Sequence, residues 1–303
     1  MRKPLPWAFR STTKIKIKSL FLVNLIPSIL VAGHGYLGQE VARQALTLNW
    51  KVTTLSRSPG EADHACDLTD LTALESLQTE GLQPTHIVAC ASSGRGDLEA
   101  YRSIFCEGTR HLQQVFPQAA FTFISSTSVY RQLDGSIVDE ESDFAGETQK
   151  SLILREAENL VLSEHGTVLR LSGIYGPERS VILSRFLAGK ATLEKTAEGI
   201  GVRILNQIHR DDAAEAIVHL IKEGFAGLYN VSDNQPISQL QTYEALCKLL
   251  DQPLPPTAPP NPNSKRGWTN KAVSNARLQA TGWAPRHANF LSSVSELIPT
   301  LKQ

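Results

Sequence analysis

The run Val31-Ala32-Gly33-His34-Gly35-Tyr36-Leu37-Gly38 has the residue types of an anion cradle. Its glycines follow an apolar stretch and open a segment with apolar residues at Leu37, Val41, Ala45 and Leu48, so a strand hands over to a helix through an unobstructed turn. Each glycine has its own task there. Gly33 permits the tight bend, Gly35 lets backbone approach a pyrophosphate, and Gly38 allows helix and strand to pack closely. Tyr36 and Leu37 then stand at the helix N-terminus, where phosphates meet amides and the positive end of the dipole. The chemistry expected is dinucleotide binding. The blander alternative is that the glycines merely make a tight turn.

The end of the second strand reports on which dinucleotide is held. An NAD site places a carboxylate there for the ribose 2′-hydroxyl, but this chain offers Ser56-Arg57-Ser58 with no acid before Glu61. Arg57 suits a 2′-phosphate, so NADP is favoured over NAD. Asp67 lies where a third strand ends and either meets the adenine or caps the next helix. Ala91 and Ser125, at the ends of the expected strands 86–91 and 121–126, complete the cofactor's edge.

These residues need a scaffold of repeated strand and helix. Apolar runs at 28–33, 51–57, 86–91, 121–126, 167–176 and 227–233 alternate with amphipathic segments at 36–50, 98–116, 149–164, 210–223 and 238–250. The fold class expected is α/β, a doubly wound parallel sheet of the Rossmann type with a small C-terminal α/β substrate cap. Three parts are expected: a basic extension at 1–27, a dinucleotide-binding core at 28–175, and a C-terminal part at 176–303 that completes the sheet and forms the cap. Six prolines within 252–265 mark an extended surface connection.

Composition excludes several function classes. Lys plus Arg and Asp plus Glu stand at 30 each, leaving no global field to attract nucleic acid or an anionic membrane. Cys66, Cys90, Cys106 and Cys247 lie far apart, which suits core thiols in a reducing cytoplasm rather than a zinc cluster. The eight histidines show no metal-ligand spacing. The first 27 residues carry Arg2, Lys3, Arg10, Lys14, Lys16 and Lys18 and no acid, but the apolar run from Leu20 merges into the first strand. A cleaved export signal there would remove that strand, which leaves a disordered basic extension, a weak organelle-type transit sequence or an over-extended start, with the bland readings favoured over a functional address.

Taken together, "GHGYLG", "DLTD", "FISSTSVY", "VDEES", "VLRLSGIYGPER" and "IHRDDAAEAI", in this order and spacing, resemble the extended short-chain dehydrogenase/reductase superfamily, which includes NAD-dependent epimerases and dehydratases of nucleotide sugars. The resemblance runs from about residue 28 to 290. It implies a small-molecule substrate, a homodimer through the helices near 98–116 and 149–164, and a substrate-binding hydroxyl at Ser126, with Thr127 and Tyr130 nearby. It also implies a Tyr-x-x-x-Lys pair on one helix face, the tyrosine acting as acid/base and the lysine holding the nicotinamide ribose. Counting back from Glu158, those slots hold Ser151 and Arg155. Serine cannot replace a phenol as proton shuttle without a separate base, and Arg155, which keeps its proton at any working pH, is a candidate to hold the cofactor's ribose hydroxyls or stabilise an oxyanion but not to give up a proton. A short bacterial branch of the family is similar in carrying Arg at the Lys slot.

Other titratable groups are candidates for displaced acid/base work: His209, Tyr130, Tyr175 and Glu140. Asp211 and Asp212 read as structural acids at a helix N-terminus, His34 as a neighbour of phosphate, and Arg179 and Arg185 either as substrate-phosphate ligands or as solvated surface groups. Two functions fit. One is an NAD(P)-dependent oxidoreductase, epimerase or dehydratase of a sugar-like substrate with a non-standard acid/base. The other is a non-catalytic NADP(H)-binding sensor.

Overall fold

A computed structural model describes residues 26–94, 96–144, 148–261 and 268–301, so most of the basic extension and part of the proline-rich segment lie outside the described residues. A parallel sheet of seven strands runs through the centre. In chain order its strands are β1 (Ser28–Ala32), β2 (Lys51–Ser56), β3 (His64–Ala65), β4 (His86–Ala89), β5 (Ala120–Ser126), β6 (Thr167–Leu171) and β7 (Gly227–Val231). Their spatial order is β7-β6-β5-β4-β1-β2-β3. The order reverses between β1 and β4, the switch point where open α/β sheets bind ligands beyond the carboxyl ends of their strands.

Both faces of the sheet are covered, which is why its strands read as continuous apolar runs. On β1, Leu30 and Ala32 join one core with Ile87, Phe121, Phe123 and Val168, while Ile29 and Val31 join the opposite core with Val88, Leu169 and Leu171. The first core is closed by helices α2 (Leu71–Thr79), α4 (Gly108–Val115) and α5 (Gln149–Ser163). The second is closed by α1 (Tyr36–Thr47) and α7 (Arg210–Glu223), whose small residues Ala213, Ala214 and Ala216 bring it close to Val41 and Ala45 of α1. Gly224 ends α7 in the left-handed conformation at φ 69°, a stop a β-carbon would disfavour.

A separate cluster of Leu183, Phe186, Leu193, Tyr243, Leu246, Phe290 and Leu297 gives the C-terminal part its own core. It is built from α6 (Val181–Leu187), α8 (Gln239–Leu250) and short strands, among them Leu193–Thr196 pairing with Thr257–Ala258 of the proline-rich stretch. Among the described residues no helix is long and apolar enough to cross a membrane.

Two elements differ from the expectation. The strand expected at 167–176 divides at Ser172, whose amide bonds Val231 O. Gly173 N bonds Asn206 O instead, so Gly173–Tyr175 leaves the central sheet and pairs with Gln207–His209. The helix expected at 98–116 is α3 (Leu98–Arg102), a widened π-type turn at Ser103–Glu107, and α4.

Candidate functional site

A cavity of about 890 Å³ opens over the carboxyl ends of β2, β1, β4 and β5. From one end to the other it meets Ser56, Arg57 and Asp67, then Gly33 to Leu37, then Cys90 to Gly94, and finally Ser125, Ser126 and the start of α5. Three strand spacings separate β2 from β5, about 14 Å across the floor. The cavity thus reaches from Arg57 at one end to Ser126 at the other.

The glycine turn is shaped by what a β-carbon would meet. At Gly38 it would lie 2.0 Å from Gly33 O, and at Gly33, with φ at 120°, it would lie 2.4 Å from Ala91 N. Both glycines are therefore required by packing. At Gly35 a β-carbon would meet nothing within 4 Å, so the turn leaves its backbone bare toward open space. Gly35 is also the N-cap of α1; it brings no capping side chain, and no acid stands in the first turn. Bare amides, a helix dipole and no competing anion fit the pyrophosphate of a dinucleotide. His34 Nδ1 is buried there with no hydrogen-bond partner, although the backbone amides of Gly33 and His34 both donate to Leu55 O.

Arg57 is exposed and lines the cavity where β2 ends. Asp67 lines it too, and its Oδ1 accepts from Thr69 N and Thr69 Oγ1 at 3.0 and 2.8 Å. The helix that follows is capped instead by Asp70, which accepts from Ala73 N. Tyr36 Oη donates to Pro177 O at 3.0 Å, and Arg179 and Arg210 stack on its ring at 5.0 and 5.1 Å. Burial pushes its phenol up to about 12, against the lowering effect of those guanidinium groups. Burial likewise pushes the Cys90 thiol up to about 12 and the Cys66 thiol to about 11.

At the far end the expected catalytic residues are dispersed. Ser126 lines the cavity, and its Oγ accepts from Ser128 N at 3.2 Å. Ser151 also lines it, but its hydroxyl is absorbed into a capping box: Thr148 N donates to Ser151 Oγ at 2.8 Å and Ser151 N to Thr148 Oγ1 at 3.1 Å. Arg155 points elsewhere. Its guanidinium lies 3.7 Å from the centroid of the Phe144 ring, and it is not among the lining residues. The i,i+4 pairing expected at 151 and 155 is thus split between a helix cap and an aromatic stack.

Tyr130 and Thr127 also stand outside the cavity. Thr127 Oγ1 donates to Leu171 O at 3.4 Å. Tyr130 is fully buried; its hydroxyl accepts from Arg170 Nη1 at 2.8 Å and donates to Asn230 Oδ1 at 2.9 Å. Arg170 is paired in turn with Glu158 at 2.6 Å, and Glu158 Oε1 accepts from Ser125 Oγ at 2.5 Å. The phenol expected near the chemistry therefore belongs to a buried network behind the floor, with Ser125 as its one member that lines the cavity.

His209, Tyr175 and Glu140 are buried away from the cavity as well. His209 caps α7, its Nδ1 accepting from Asp211 N, and its ring stacks on His287 with centroids 3.7 Å apart. His287 Nδ1 meets Asp212 Oδ2 at 3.0 Å, and Asp211 pairs with Arg210 at 2.8 Å. Glu140 Oε1 accepts from Asn230 N at 2.6 Å. Arg185 bonds Lys190 O, whereas Arg179 lines the cavity. Sequence reasoning missed Ser92, Ser93, Ser128, Tyr101 and Lys150, all of which line it. A lysine next to the expected start of a helix was the available signal for Lys150; Tyr101 carried none.

Similar proteins share this architecture. A Methylobacillus flagellatus protein, provisionally called an NAD-dependent epimerase/dehydratase, is 30% identical, with a TM-score of 0.69 over 91% of this chain and 98% of its own. The UDP-glucose 4-epimerase of Thermus thermophilus, in complex with NAD, is 19% identical, with a TM-score of 0.71 over 88% of this chain and 96% of that one. A 3-diazoavenalumate denitrifying reductase from Streptomyces sp is 30% identical over 151 residues, 45% of this chain and 48% of its length. This chain thus spans about half the length of that curated relative. The family model described as the NAD dependent epimerase/dehydratase family matches residues 29–232, and the chain belongs to that family.

Proposed function

We propose that this protein binds NADP(H) in preference to NAD(H) and uses it for oxidoreduction at a carbonyl or hydroxyl carbon of a small, sugar-like substrate. The observation that carries the reading is the bare Gly35 backbone at the start of α1, in one cavity with Arg57 at the end of β2. The amides and dipole favour a pyrophosphate, and a guanidinium where NAD sites keep an acid favours a 2′-phosphate. Bound there, a nicotinamide supplies a hydride donor or acceptor. Ser126, at the opposite end of the cavity, is a hydroxyl that can orient the substrate. The similarity to a reductase and to an NAD-containing sugar epimerase supports the class. A non-standard acid/base, a cytoplasmic location and a homodimer complete the proposal.

The test follows nicotinamide fluorescence while purified protein is titrated with NADPH and NADH, then seeks hydride transfer with nucleotide sugars and small ketones. Tighter binding of NADPH supports the reading; binding of neither overturns it. A second reading, a sensor that binds NADP(H) without turnover, is favoured by the capping role of Ser151 and the stacking of Arg155 on Phe144. Binding without hydride transfer, unaffected by Ser126→Ala, selects it.

A further inference from the structure

The arginine and lysine side chains lining the cavity are Arg57, Lys150 and Arg179. Arg57 stands at the end of β2, and Lys150 lies over the Tyr101 ring at 5.5 Å. Arg179 instead meets the start of α1, its guanidinium carbon 5.0 Å from the centroid of the Tyr36 ring.

A narrow turn delivers it there. Gly176 N donates to Arg179 O at 2.9 Å and Arg179 N to Gly176 O at 3.0 Å, so Pro177 and Glu178 alone reverse the chain. Glu178 has φ at 62°, a left-handed backbone that glycine or asparagine takes more readily. Two anchors hold this conformation to the C-terminal part: Glu178 N donates to Thr300 Oγ1 at 2.9 Å, and Tyr175 packs edge-on against Phe290. The same turn also touches α1. Tyr36 Oη donates to Pro177 O, and a β-carbon at Gly176 would lie 2.7 Å from that Oη.

The neighbouring charges leave Arg179 as the cation available to an anion. Those acting on Tyr36 are Arg210, Arg179, Asp211 and Glu178. Arg210 is paired with Asp211 at 2.8 Å and with Glu40 at 3.7 Å, and it does not line the cavity. Glu40 is also held by Arg43 at 2.6 Å, and Glu178 is exposed on the turn. Among the described residues no acid pairs with Arg179. The N-terminus of α1 supplies bare amides and about +0.5 elementary charge, less than a pyrophosphate needs for neutrality. A guanidinium beside it supplies the rest and grips a phosphate through two parallel hydrogen bonds.

We propose that Arg179 closes on the pyrophosphate of the bound dinucleotide from the side of the C-terminal part, so that the cofactor ties α1 to the turn at 176–179. The inference rests on the cofactor reading above. Arg57 at β2 marks the adenosine half of the cavity, whereas Arg179 follows β6, on the opposite side of β1 in the sheet order. It therefore takes the phosphate on the nicotinamide half. A substrate phosphate is the other anion that could meet this guanidinium, and binding of cofactor alone distinguishes the two.

The test uses the full chain with Arg179→Gln and Arg179→Lys, and no substrate. Arg179→Gln is expected to weaken NADPH binding about tenfold or more, and to reduce the loss of NADPH affinity with added salt. Adenosine 2′,5′-bisphosphate, which lacks the second phosphate, is expected to stay within about threefold of wild type by calorimetry. Arg179→Lys, which keeps the charge without the planar fork, is expected to fall between wild type and Arg179→Gln. NADPH affinity within about twofold of wild type in Arg179→Gln overturns the proposal and leaves Arg179 to a substrate anion or to solvent. Equal losses for NADPH and the bisphosphate overturn it as well, since the defect would then lie outside the second phosphate. Failure of wild type to bind NADPH removes the cofactor reading, and this contact with it.

Discussion

Ser125 Oγ donates to Glu158 Oε1 at 2.5 Å, which joins the floor of the cavity to an ion pair sealed behind it. Glu158 and Arg170 are 2% and 4% exposed, and Arg170 reaches on to Tyr130 and, through it, to Asn230 of β7. Glu158→Ala strands the Arg170 charge in the interior and is expected to cost about 3–5 kcal/mol of stability. Urea unfolding measures it, and a loss below about 1 kcal/mol would show that the network tolerates an unpaired guanidinium.

The two neighbouring glycines of the turn are expected to respond in opposite ways. Gly38→Ala drives a β-carbon against Gly33 O and lowers the melting temperature together with cofactor affinity. Gly35→Ala adds a methyl to open space, so stability changes by about 1 kcal/mol or less while NADPH affinity falls about tenfold or more. Unchanged NADPH binding in Gly35→Ala would mean that no ligand backbone approaches there.

Arg57→Glu is expected to weaken NADPH binding roughly 10- to 100-fold, the worth of hydrogen bonds to a charged group, and to improve NADH. Fluorescence titration of both nucleotides gives the ratio. An unaltered ratio would return Arg57 to the status of an ordinary surface residue.

Asp233 is buried, its Oδ1 has no hydrogen-bond partner, and burial pushes its carboxyl up to about 8, with Asp212 acting in the same direction. The folded state therefore holds a proton that the unfolded chain has released at an ordinary carboxylate value near 4. Its contribution is full below that value and is lost as pH rises from about 4 to about 8, at up to ~1.4 kcal/mol per pH unit. Asp233→Asn is expected to remove this slope, so the variant gains on the wild type as pH climbs. Parallel stability profiles for the two proteins between pH 5 and 8 would contradict this.

The parts legible in the sequence are those whose cause is local. The alternation of Ile29, Leu30 and Val31 between two cores, and the glycine spacing after it, are written within a dozen residues. The fate of Tyr130 was not, because it is decided by Arg170 and Asn230, 40 and 100 positions away. The spacing of Ser151 and Arg155 along one helix says nothing of where Thr148 caps it or where Phe144 lies. The departure of the chain from the sheet at Ser172 depends on Asn206 O, which no run of apolar residues announces.

The widened turn at Ser103–Glu107 lets one continuous rod serve two masters. Before it, Tyr101 looks toward the cavity; after it, Leu112 and Val115 look into the core. An extra residue per turn changes azimuth without changing direction of travel. Tightening that turn to ordinary helical pitch with every residue kept would swing one half by about 100° relative to the other. The molecule would then have to choose between a filled interior and a furnished cleft.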